Sequence, residues 1–179
     1  MRVIGGMHKG RKIKSLKGKN TRPTADIVRE ALFDILGGKI AGSRFLDLFA
    51  GTGAVGIEAL SRGSESAIFV EKSLEACLII KQNLENLALT EKSRIIRDDA
   101  ESALKNLLKQ GEEFDIIFMD PPYSKNKIEP ILTILRDFEP LKSIIVIQHA
   151  EDELFNTDGF LCYKRKKYGK SMLTFLIRE

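Results

Sequence analysis

The tetrapeptide Asp120-Pro121-Pro122-Tyr123 contains the residue types that point most directly to chemistry. It follows an apolar run at residues 114–119 that is typical of a buried strand. The two prolines fix the backbone after that strand, and they leave carbonyl oxygens that no amide of the loop is bound to satisfy. The segment therefore offers a carboxylate, free carbonyl oxygens and an aromatic ring at one strand end.

These groups suit the methylation of an exocyclic amine on a nucleic-acid base. The lone pair of that amine is delocalised into the ring, which makes the nitrogen a poor nucleophile. If the Asp120 side chain and the Pro121 carbonyl accept both amine hydrogens, the lone pair turns toward the methyl donor. Tyr123 can stack on a base that has left its helix or loop. Catalysis would come from positioning and polarisation, without a strong general base.

A glycine-rich turn within residues 45–56 is predicted to bind the cofactor, because ligands of open parallel sheets bind at the carboxyl ends of strands. Gly51 and Gly53 permit a close approach that a Cβ would block. The spacing Gly51-x-Gly53-x-x-Gly56 also matches a dinucleotide fingerprint, but Asp47 and the run Ala50-Gly51-Thr52 are more typical of a class I methyltransferase. The residues of this turn assigned to S-adenosylmethionine are Asp47, Phe49, Ala50, Gly51, Thr52 and Gly53.

Acidic residues close the next two predicted strands. Glu71, which precedes Lys72, can accept hydrogen bonds from both ribose hydroxyls of S-adenosylmethionine or of a nicotinamide cofactor. Asp99 is placed to receive the adenine amino group. Its neighbour Asp98 leaves that assignment open by one residue, and either aspartate could instead be a helix cap. The predicted cofactor site is completed by Glu71, Lys72, Asp99, Ala100 and Asp120, and no metal site is predicted.

Basic residues are distributed unevenly. The chain has a net charge of +4, yet its first 22 residues contain eight basic residues and no acid. This arm is predicted to bind a polyanion. A second basic cluster near the C-terminus could join it in one electropositive face, or could consist of solvated lysines. The arm contains Arg2, Lys9, Arg11, Lys12, Lys14, Lys17, Lys19 and Arg22, and the second cluster contains Lys164, Arg165, Lys166, Lys167 and Lys170.

One α/β domain must position these residues, because 179 residues with 43% hydrophobic content suffice for a single well-buried core. Short apolar runs alternate with helical patterns from residue 44 onward, which predicts a mostly parallel sheet covered on both faces. Only residues 169–171 separate the last two runs, which predicts an antiparallel hairpin. The predicted strands lie near 44–49, 67–71, 94–97, 114–120, 143–147, 160–168 and 172–177, and the predicted helices near 56–62, 74–87, 100–110 and 128–138.

The N-terminal region is predicted to comprise a basic RNA-binding arm at residues 1–22, followed by a methyltransferase domain at 23–179. Residues 3–19 could form a small hairpin. Thr24 is predicted to cap a first helix that ends at Gly37-Gly38. The sequence shows neither a signal peptide nor a run of roughly 20 apolar residues, so a cytoplasmic location without membrane association is expected.

Five blocks together resemble a known family. They are residues 2–6 (RVIGG), 9–13 (KGRKI), 22–33 (RPTADIVREALF), 46–63 (LDLFAGTGAVGIEALSRG) and 120–123 (DPPY). These blocks are similar to those of the RsmD family of 16S rRNA guanine-N2 methyltransferases, over nearly the whole chain. The Arg-Pro-Thr and Leu-Ser-Arg blocks are specific to that family, whereas the glycine turn and Asp-Pro-Pro-Tyr are shared more widely.

The resemblance implies a Rossmann-like class I methyltransferase with a mostly parallel seven-stranded sheet, a C-terminal antiparallel hairpin and a small basic N-terminal extension. It implies a bacterial enzyme that uses S-adenosylmethionine, releases S-adenosylhomocysteine and methylates guanine 966 of 16S rRNA, in standard small-subunit numbering. The partner would be the small ribosomal subunit or an assembly intermediate, and a monomer is expected.

The resemblance also implies that Arg22, Thr24, Arg29 and Glu30 lie near the cofactor and the target base as a lid. From the residues alone, Arg29 and Glu30 could equally be a surface pair. The RNA contacts predicted from charge and resemblance together are Arg2, Lys9, Arg11, Lys12, Arg22, Thr24 and Arg29.

Two places depart from the family pattern. Gln148-His149 stands where an acidic residue is common, and Tyr168-Gly169-Lys170 stands where a Gly-Gln-Val-like turn is common. His149 is more typical of hydrogen-bonded structure than of a catalytic base. His8, in the arm, is more typical of an RNA contact.

Three other functions are weighed against this interpretation. An amino-methyltransferase acting on DNA adenine or on another RNA position shares the chemistry, but the small size disfavours a separate DNA-recognition domain. A nicotinamide-dependent oxidoreductase explains the glycine turn and Glu71, but leaves Asp120-Pro121-Pro122-Tyr123 and the basic arm unexplained. A non-catalytic RNA-binding module is disfavoured by the intact Asp120 and glycine turn.

Overall fold

A computed structural model describes residues 1–16, 23–122, 126–139 and 141–179, with the backbone alone for 23–25. The helices are α1 (Pro23–Leu36), α2 (Ala54–Ser61), α3 (Leu74–Asn86), α4 (Ala100–Lys109) and α5 (Ile128–Asp137). The strands are β1 (Arg44–Leu48), β2 (Ser66–Val70), β3 (Ser93–Ile96), β4 (Ile116–Met119), β5 (Ile144–Ala150), β6 (Phe160–Tyr168) and β7 (Ser171–Arg178). Within the described residues, no helix is long and apolar enough to cross a membrane.

The seven strands form one sheet in the order β3-β2-β1-β4-β5-β7-β6. Strands β1 to β5 run parallel, whereas β7 runs antiparallel to both β5 and β6. The predicted fold, including the closing hairpin, is confirmed. Because β1 lies between β2 and β4 in parallel register, the loops that follow these three strands leave the same edge of the sheet.

Each face of the sheet has its own apolar core, because side chains alternate between faces along a strand. On β1, Phe45 packs into the first core, with α1, α2 and α3, and Leu46 and Leu48 pack into the second, with α4 and α5. Phe33 of α1 stacks on Phe45 with ring centroids 6.3 Å apart. Full burial of a side chain of this kind contributes about 1.5–3 kcal/mol.

The N-terminal residues form a narrow hairpin that packs on the first core. Arg2 and Lys12 make an antiparallel bridge, and the Ile13 amide donates to the Met1 carbonyl at 2.9 Å. Val3 and Ile13 are 2% and 3% exposed and belong to the first core. A hairpin thus exists within the described part of the predicted stretch, although its strands are reduced to a single bridge.

Two sequence expectations need correction. Helix α1 begins at Pro23, so Thr24 lies in its first turn and is not the N-cap. Proline suits the first helical position because its missing N–H would have no partner there and its φ angle is already helical. Strand β5 continues to Ala150, beyond the predicted end at residue 147, because its last residues pair with β7.

Candidate active site

The strand register brings the predicted cofactor turn and the predicted catalytic segment side by side. Leu48, the last residue of β1, is paired with Val70 of β2 and with Met119 of β4. Neighbouring strands lie about 4.8 Å apart. The turn that starts at Phe49, the acidic residue Glu71 and the segment that starts at Asp120 therefore leave one sheet edge on three adjacent strands.

The turn after β1 has left-handed backbone at Phe49 (φ 64°), Gly51 (φ 57°) and Gly53 (φ 76°). Glycine adopts these angles without cost, whereas a bulky residue such as Phe49 rarely does. The Ala50 amide donates to the Val70 carbonyl at 2.9 Å, which fixes the start of the turn. A Cβ built on Gly51 would meet no atom within 4 Å, so the turn opens onto space where a ligand can approach its backbone.

Asp47 lies beneath this turn. Its side chain is 1% exposed, and its Oδ2 accepts a 2.9 Å hydrogen bond from the Gly56 amide in the first turn of α2. Burial raises the pKa of Asp47 to about 8, with further increases from the charges of Asp120 and Glu71, whereas the Gly56 amide lowers it. The residue that the sequence assigned to the cofactor thus holds the turn from below, in an acidic surrounding.

Glu71 joins the first turn to the next helix. Its Oε2 accepts from the Gly51 amide at 2.9 Å, and its Oε1 accepts from the Ser73 amide at 2.8 Å. Ser73 in turn caps α3 by accepting from the Ala76 amide. A carboxylate has about four acceptor positions, so Glu71 retains capacity for ribose hydroxyls. Lys72 beside it is exposed.

Asp99 caps α4, which is one of the two roles that the sequence left open for it. Its Oδ1 accepts from the Glu101 amide at 3.0 Å, while the Asp98 side chain accepts from the Asp99 amide at 2.8 Å. Lys127 approaches the other oxygen of Asp99 at 3.9 Å. Ala100 is the buried first residue of α4. A contact between Asp99 and adenine stays a prediction.

The predicted catalytic segment begins directly after β4. Asp120 is partly exposed, Pro121 is buried and Pro122 is exposed. Tyr123 lies outside the described residues. Asp47, Glu71 and Asp120 place three carboxylates at the ends of three adjacent strands. Among the described residues, no basic side chain forms a salt bridge with Asp47 or Glu71, so this edge of the sheet suits a ligand that carries positive charge.

Arg29 has a different environment from the one predicted. It is 4% exposed, donates to the Arg2 carbonyl at 2.7 Å, and pairs with Asp26 at 3.1 Å and Glu58 at 3.7 Å. Burial lowers the pKa of Arg29, and the two carboxylates oppose that shift. Because its guanidinium is enclosed, Arg29 is not presented to RNA, and it forms no surface pair with the exposed Glu30.

The other predicted RNA contacts differ in exposure. Arg2, Lys9, Arg11 and Lys12 are exposed. Arg11 uses one guanidinium nitrogen on the Asn86 carbonyl at 3.0 Å, and Arg2 uses one on the Gly10 carbonyl at 2.7 Å. The predictions for Arg22 and for the Thr24 side chain lie outside the described residues.

Sequence reasoning missed Glu58, a fully buried carboxylate on α2. It accepts hydrogen bonds from the amides of Ile4 at 2.8 Å and Gly5 at 2.6 Å. The Arg62 Nε lies 2.8 Å from its Oε1. A glutamate within the otherwise small and apolar helix AVGIEALS is the only sequence signal for this role. Glu58 fastens the N-terminal hairpin to the helix that begins at the cofactor turn.

Asn83, also missed, ties the same hairpin to the turn itself. This buried residue of α3 accepts from the Lys14 amide at 2.8 Å. Its Nδ2 donates to the Lys14 carbonyl at 3.1 Å and to the Thr52 carbonyl at 3.3 Å. The arm and the cofactor turn are thus joined through one side chain.

Both histidines have structural partners. His149 is 3% exposed, and its two ring nitrogens contact the Ala150 carbonyl at 2.7 Å and the Thr174 hydroxyl at 2.8 Å, which agrees with the predicted structural role. Burial lowers the pKa of His149. His8 contacts the Leu87 carbonyl at 2.9 Å through its Nε2, so in this structure the ring helps to dock the arm.

Comparisons with known proteins agree with this arrangement. Residues 1–177 match the family model described as conserved hypothetical protein 95. The chain is 45% identical to YlbH of Bacillus subtilis (strain 168) over 173 residues, with 94% of each chain covered. It is 34% identical to the ribosomal RNA small subunit methyltransferase D of Haemophilus influenzae over 173 residues, or 94% of this chain and 89% of that one. The solved structure of yhhF from Escherichia coli matches with a TM-score of 0.85 and 30% identity, over 100% of this chain and 98% of that chain.

Proposed function

This chain belongs to the conserved hypothetical protein 95 family, the RsmD family, and from that premise we propose that it is an S-adenosylmethionine-dependent ribosomal RNA methyltransferase. Its acceptor is the exocyclic N2 amine of a guanine in 16S rRNA, namely guanine 966 in standard small-subunit numbering. Support comes from its relative in Haemophilus influenzae, whose name specifies small-subunit ribosomal RNA.

The observation that carries this proposal is the pairing of Leu48 with Met119. This pairing sets the glycine turn and the Asp120-Pro121-Pro122 segment on adjacent strands at one edge. A methyl donor held by the turn and a base amine held by the segment would meet there. The amine needs two acceptors and no strong base, which agrees with a site where carboxylates and carbonyls prevail.

The residues of the turn fit S-adenosylmethionine. The open space at Gly51 accommodates a ligand against the backbone, Glu71 would accept from the ribose hydroxyls, and Asp99 is the candidate acceptor for the adenine amine. The carboxylates of Asp47 and Glu71 complement a ligand that carries a sulfonium and an ammonium group. When bound, the cofactor supplies an electrophilic methyl group.

The roles of the catalytic segment follow from its chemistry. The Asp120 carboxylate and the Pro121 carbonyl would hold the two hydrogens of the target amine and aim its lone pair. Tyr123 would stack on the extruded guanine, and Pro122 keeps the loop backbone rigid. The new carbon–nitrogen bond would form as the bond between methyl and sulfur breaks, and an amine proton would then pass to the Asp120 carboxylate that holds it.

The remaining assignments concern the partner. Residues 1–22 would act as the RNA-binding arm of a domain at 23–179, and the exposed residues Arg2, Lys9, Arg11 and Lys12 would contact the RNA. The substrate is the small ribosomal subunit or an assembly intermediate, which the enzyme meets as a monomer in the cytoplasm. Each transfer would release S-adenosylhomocysteine as the product of the cofactor.

The proposal is tested by tritium transfer from S-adenosylmethionine to small subunits isolated from a strain that lacks the endogenous enzyme. Primer extension then maps the modified nucleotide. We expect one stop, at guanine 966. A stop at another guanine would redirect the target, and labelled duplex DNA with unlabelled subunits would establish the alternative of a DNA amino-methyltransferase.

The role of Asp120 is tested by Asp120→Ala. We expect methyl transfer to fall by at least about 100-fold, because one acceptor for the amine is removed, while the affinity for S-adenosylhomocysteine changes less than a few-fold. Calorimetric titration measures that affinity. Asp137→Ala, which removes an exposed acid at the end of α5, is the matched control. A large loss of cofactor affinity in Asp120→Ala would instead assign this residue to the cofactor site.

A further inference from the structure

The β6–β7 hairpin is a second concentration of positive charge that the proposed catalytic machinery does not use. Residues 160–178 contain six basic residues and no acid. Four of them lie consecutively, at positions 164–167 of β6, and Lys170 lies in the turn that follows. A charge density of this kind attracts a polyanion wherever its location allows contact.

The register of the sheet places the tip of this hairpin at the end of the sheet where β4 leads into the proposed catalytic segment. Met119 is paired with Ile147, Ile147 with Thr174, and Thr174 with Arg165. Beyond this row, β4 continues to Asp120 while the hairpin continues to its turn at residues 169–170. Three strand spacings of about 4.8 Å separate β4 from β6, so the tip lies roughly 14 Å to one side of the catalytic segment.

Lys166 faces the same side of the sheet as the N-terminal arm. It is paired with Leu173, a member of the first core, and directly paired residues project to the same face. Tyr168, two residues further on, packs against that core, which anchors the end of the strand. The packing of Tyr168 therefore positions the end of β6 that carries the basic tip.

Most of the charge on this hairpin is not neutralised within the protein. Lys167 pairs with Glu151 at 2.6 Å. In the described part of the chain, by contrast, no salt bridge involves Lys164, Arg165, Lys166 or Lys170. These four cations are exposed or partly exposed. They can pair with phosphates without first breaking an internal ion pair.

Protection of a sheet edge is the competing explanation, since lysines on an edge strand discourage pairing with other chains. Strand β6 is an edge strand, so this explanation covers its own lysines. It does not cover Lys170, which lies in the turn and outside the ladder. Edge protection also does not predict that basic residues should lie at the end of β6 that is nearest to the proposed catalytic segment.

We propose that the tip of the β6–β7 hairpin, through Lys166 and Lys170, binds the phosphates of the RNA that flanks the target nucleotide. This inference rests on the proposed function, because it takes the acceptor to be RNA. A base that is turned out of its strand leaves flanking phosphates on both sides, and contacts at a distance from the base hold those phosphates in place. The arm and the hairpin tip would bind the RNA backbone on either side of the target nucleotide.

The test is the double variant Lys166→Glu with Lys170→Glu, compared with Lys92→Glu with Lys109→Glu. The control pair is exposed, forms no salt bridge with another described residue and carries the same change of charge. Because glutamate is also charged, β6 keeps its protected edge. Binding of a fluorescent RNA fragment of the small subunit is measured by anisotropy between 50 and 300 mM salt, which is roughly the range where counterion release is resolved.

We expect the hairpin variant to bind RNA at least about tenfold more weakly than the control variant, with a salt slope lower by roughly one to two. Affinity for S-adenosylhomocysteine and maximal transfer at saturating subunits should be retained, so that the loss is confined to RNA binding. Equal RNA affinity and equal slope in the two double variants would overturn the inference.

Wild-type transfer to subunits is measured in parallel and separates the two hypotheses. If wild type methylates subunits and the hairpin variant matches the control, the proposed function stands and the inference fails. If wild type does not methylate subunits, the proposed function fails, and the RNA-binding comparison still decides whether the hairpin tip contacts RNA.

Discussion

Two buried carboxylates hold helix α2, and their surroundings are opposite. Asp47 and Glu58 are 1% and 0% exposed, and each accepts hydrogen bonds from backbone amides. Around Glu58 stand the guanidinium groups of Arg29 and Arg62. Around Asp47 stand the carboxylates of Asp120 and Glu71, and its pKa rises to about 8.

The difference separates an acid that is paired with described basic residues from an acid that is surrounded by like charges. A buried charge costs free energy unless it is paired, and Glu58 has its partners within the chain. Among the described residues, Asp47 has like charges for neighbours and no basic partner, so its charge is offset either by a cation from beyond these residues or by a bound proton. Both residues are buried carboxylic acids. The sign of the neighbouring charges distinguishes them.

The two acids also belong to one mechanical unit. Asp47 fastens the start of α2 beneath the cofactor turn, and Glu58 fastens the N-terminal hairpin to the same helix. Asn83 closes the loop by joining Lys14 to Thr52. The described part of the basic arm is therefore positioned by the elements that shape the predicted cofactor turn, and the proposed RNA contacts are joined to that turn through these hydrogen bonds.

The largest expected effect is the loss of Glu58. Glu58→Ala leaves the buried Arg29 with Asp26 as its one remaining carboxylate among the described residues, and it removes the acceptor of two amides and of the Arg62 guanidinium. We expect the free energy of unfolding to fall by about 3–5 kcal/mol, as measured by urea denaturation at neutral pH. Trypsin should also cut the basic arm faster in the variant than in wild type.

The matched control for this variant is Glu85→Ala, which removes an exposed glutamate from α3. It should change the free energy of unfolding by no more than about 0.5 kcal/mol. If the two variants were equally stable, the contacts of Glu58 with its partners would contribute no net stability. Glu58 could then not be contrasted with Asp47 as an acid that stabilises the fold.

These partners also show what the sequence can and cannot predict. The alternation of runs predicted the sheet, and the three-residue link predicted the hairpin, because both are local patterns. The role of Glu58 depends on amides 53 and 54 residues away, and that of Asn83 on an amide 69 residues away, so no local pattern reports them. The burial of Arg29 was not predicted for the same reason, since the sequence of α1 does not reveal that the arm covers it.

Local rules failed within the cofactor turn as well. The sequence strand–glycine–helix predicted where the turn lies, and the structure confirms that location. The left-handed φ of Phe49 was not predicted, because steric rules exclude bulky residues from that region unless their surroundings impose it. Thr24 was predicted as a cap because threonine favours that position, but Pro23 already starts the helix.

The second prediction concerns pH and Asp47. Because its folded-state pKa lies at about 8, above the usual 3.8, the folded protein binds this proton more tightly than the unfolded chain. The stability from that proton is fully present below about pH 4 and is lost as pH rises toward 8. Asp47→Asn keeps an acceptor for the Gly56 amide and cannot titrate.

Urea denaturation of both proteins at pH 5 and pH 8.5 measures this effect. We expect wild type to lose stability relative to Asp47→Asn over that interval, by on the order of 4 kcal/mol, since about three pH units lie between pH 5 and the folded-state pKa. Changes at all other groups cancel in the difference between the two proteins. Parallel pH profiles would show that folding does not raise the pKa of Asp47, and the contrast between the two acids would disappear.

The smallest expected effect separates charge from shape in the cofactor site. S-adenosylmethionine carries a sulfonium charge that S-adenosylhomocysteine lacks, whereas both carry the ammonium group. At pH 8.5, Asp47→Asn should therefore weaken binding of S-adenosylmethionine about fivefold more than binding of S-adenosylhomocysteine, as measured by calorimetric titration. Asp137→Asn, far along α5, should weaken neither. An equal loss for both ligands would mean that Asp47 acts only by holding the Gly56 amide, since a change in the shape of the turn is blind to the charge on sulfur. A selective loss would identify Asp47, which forms no salt bridge with a described residue, as the group that favours the charged methyl donor over its product.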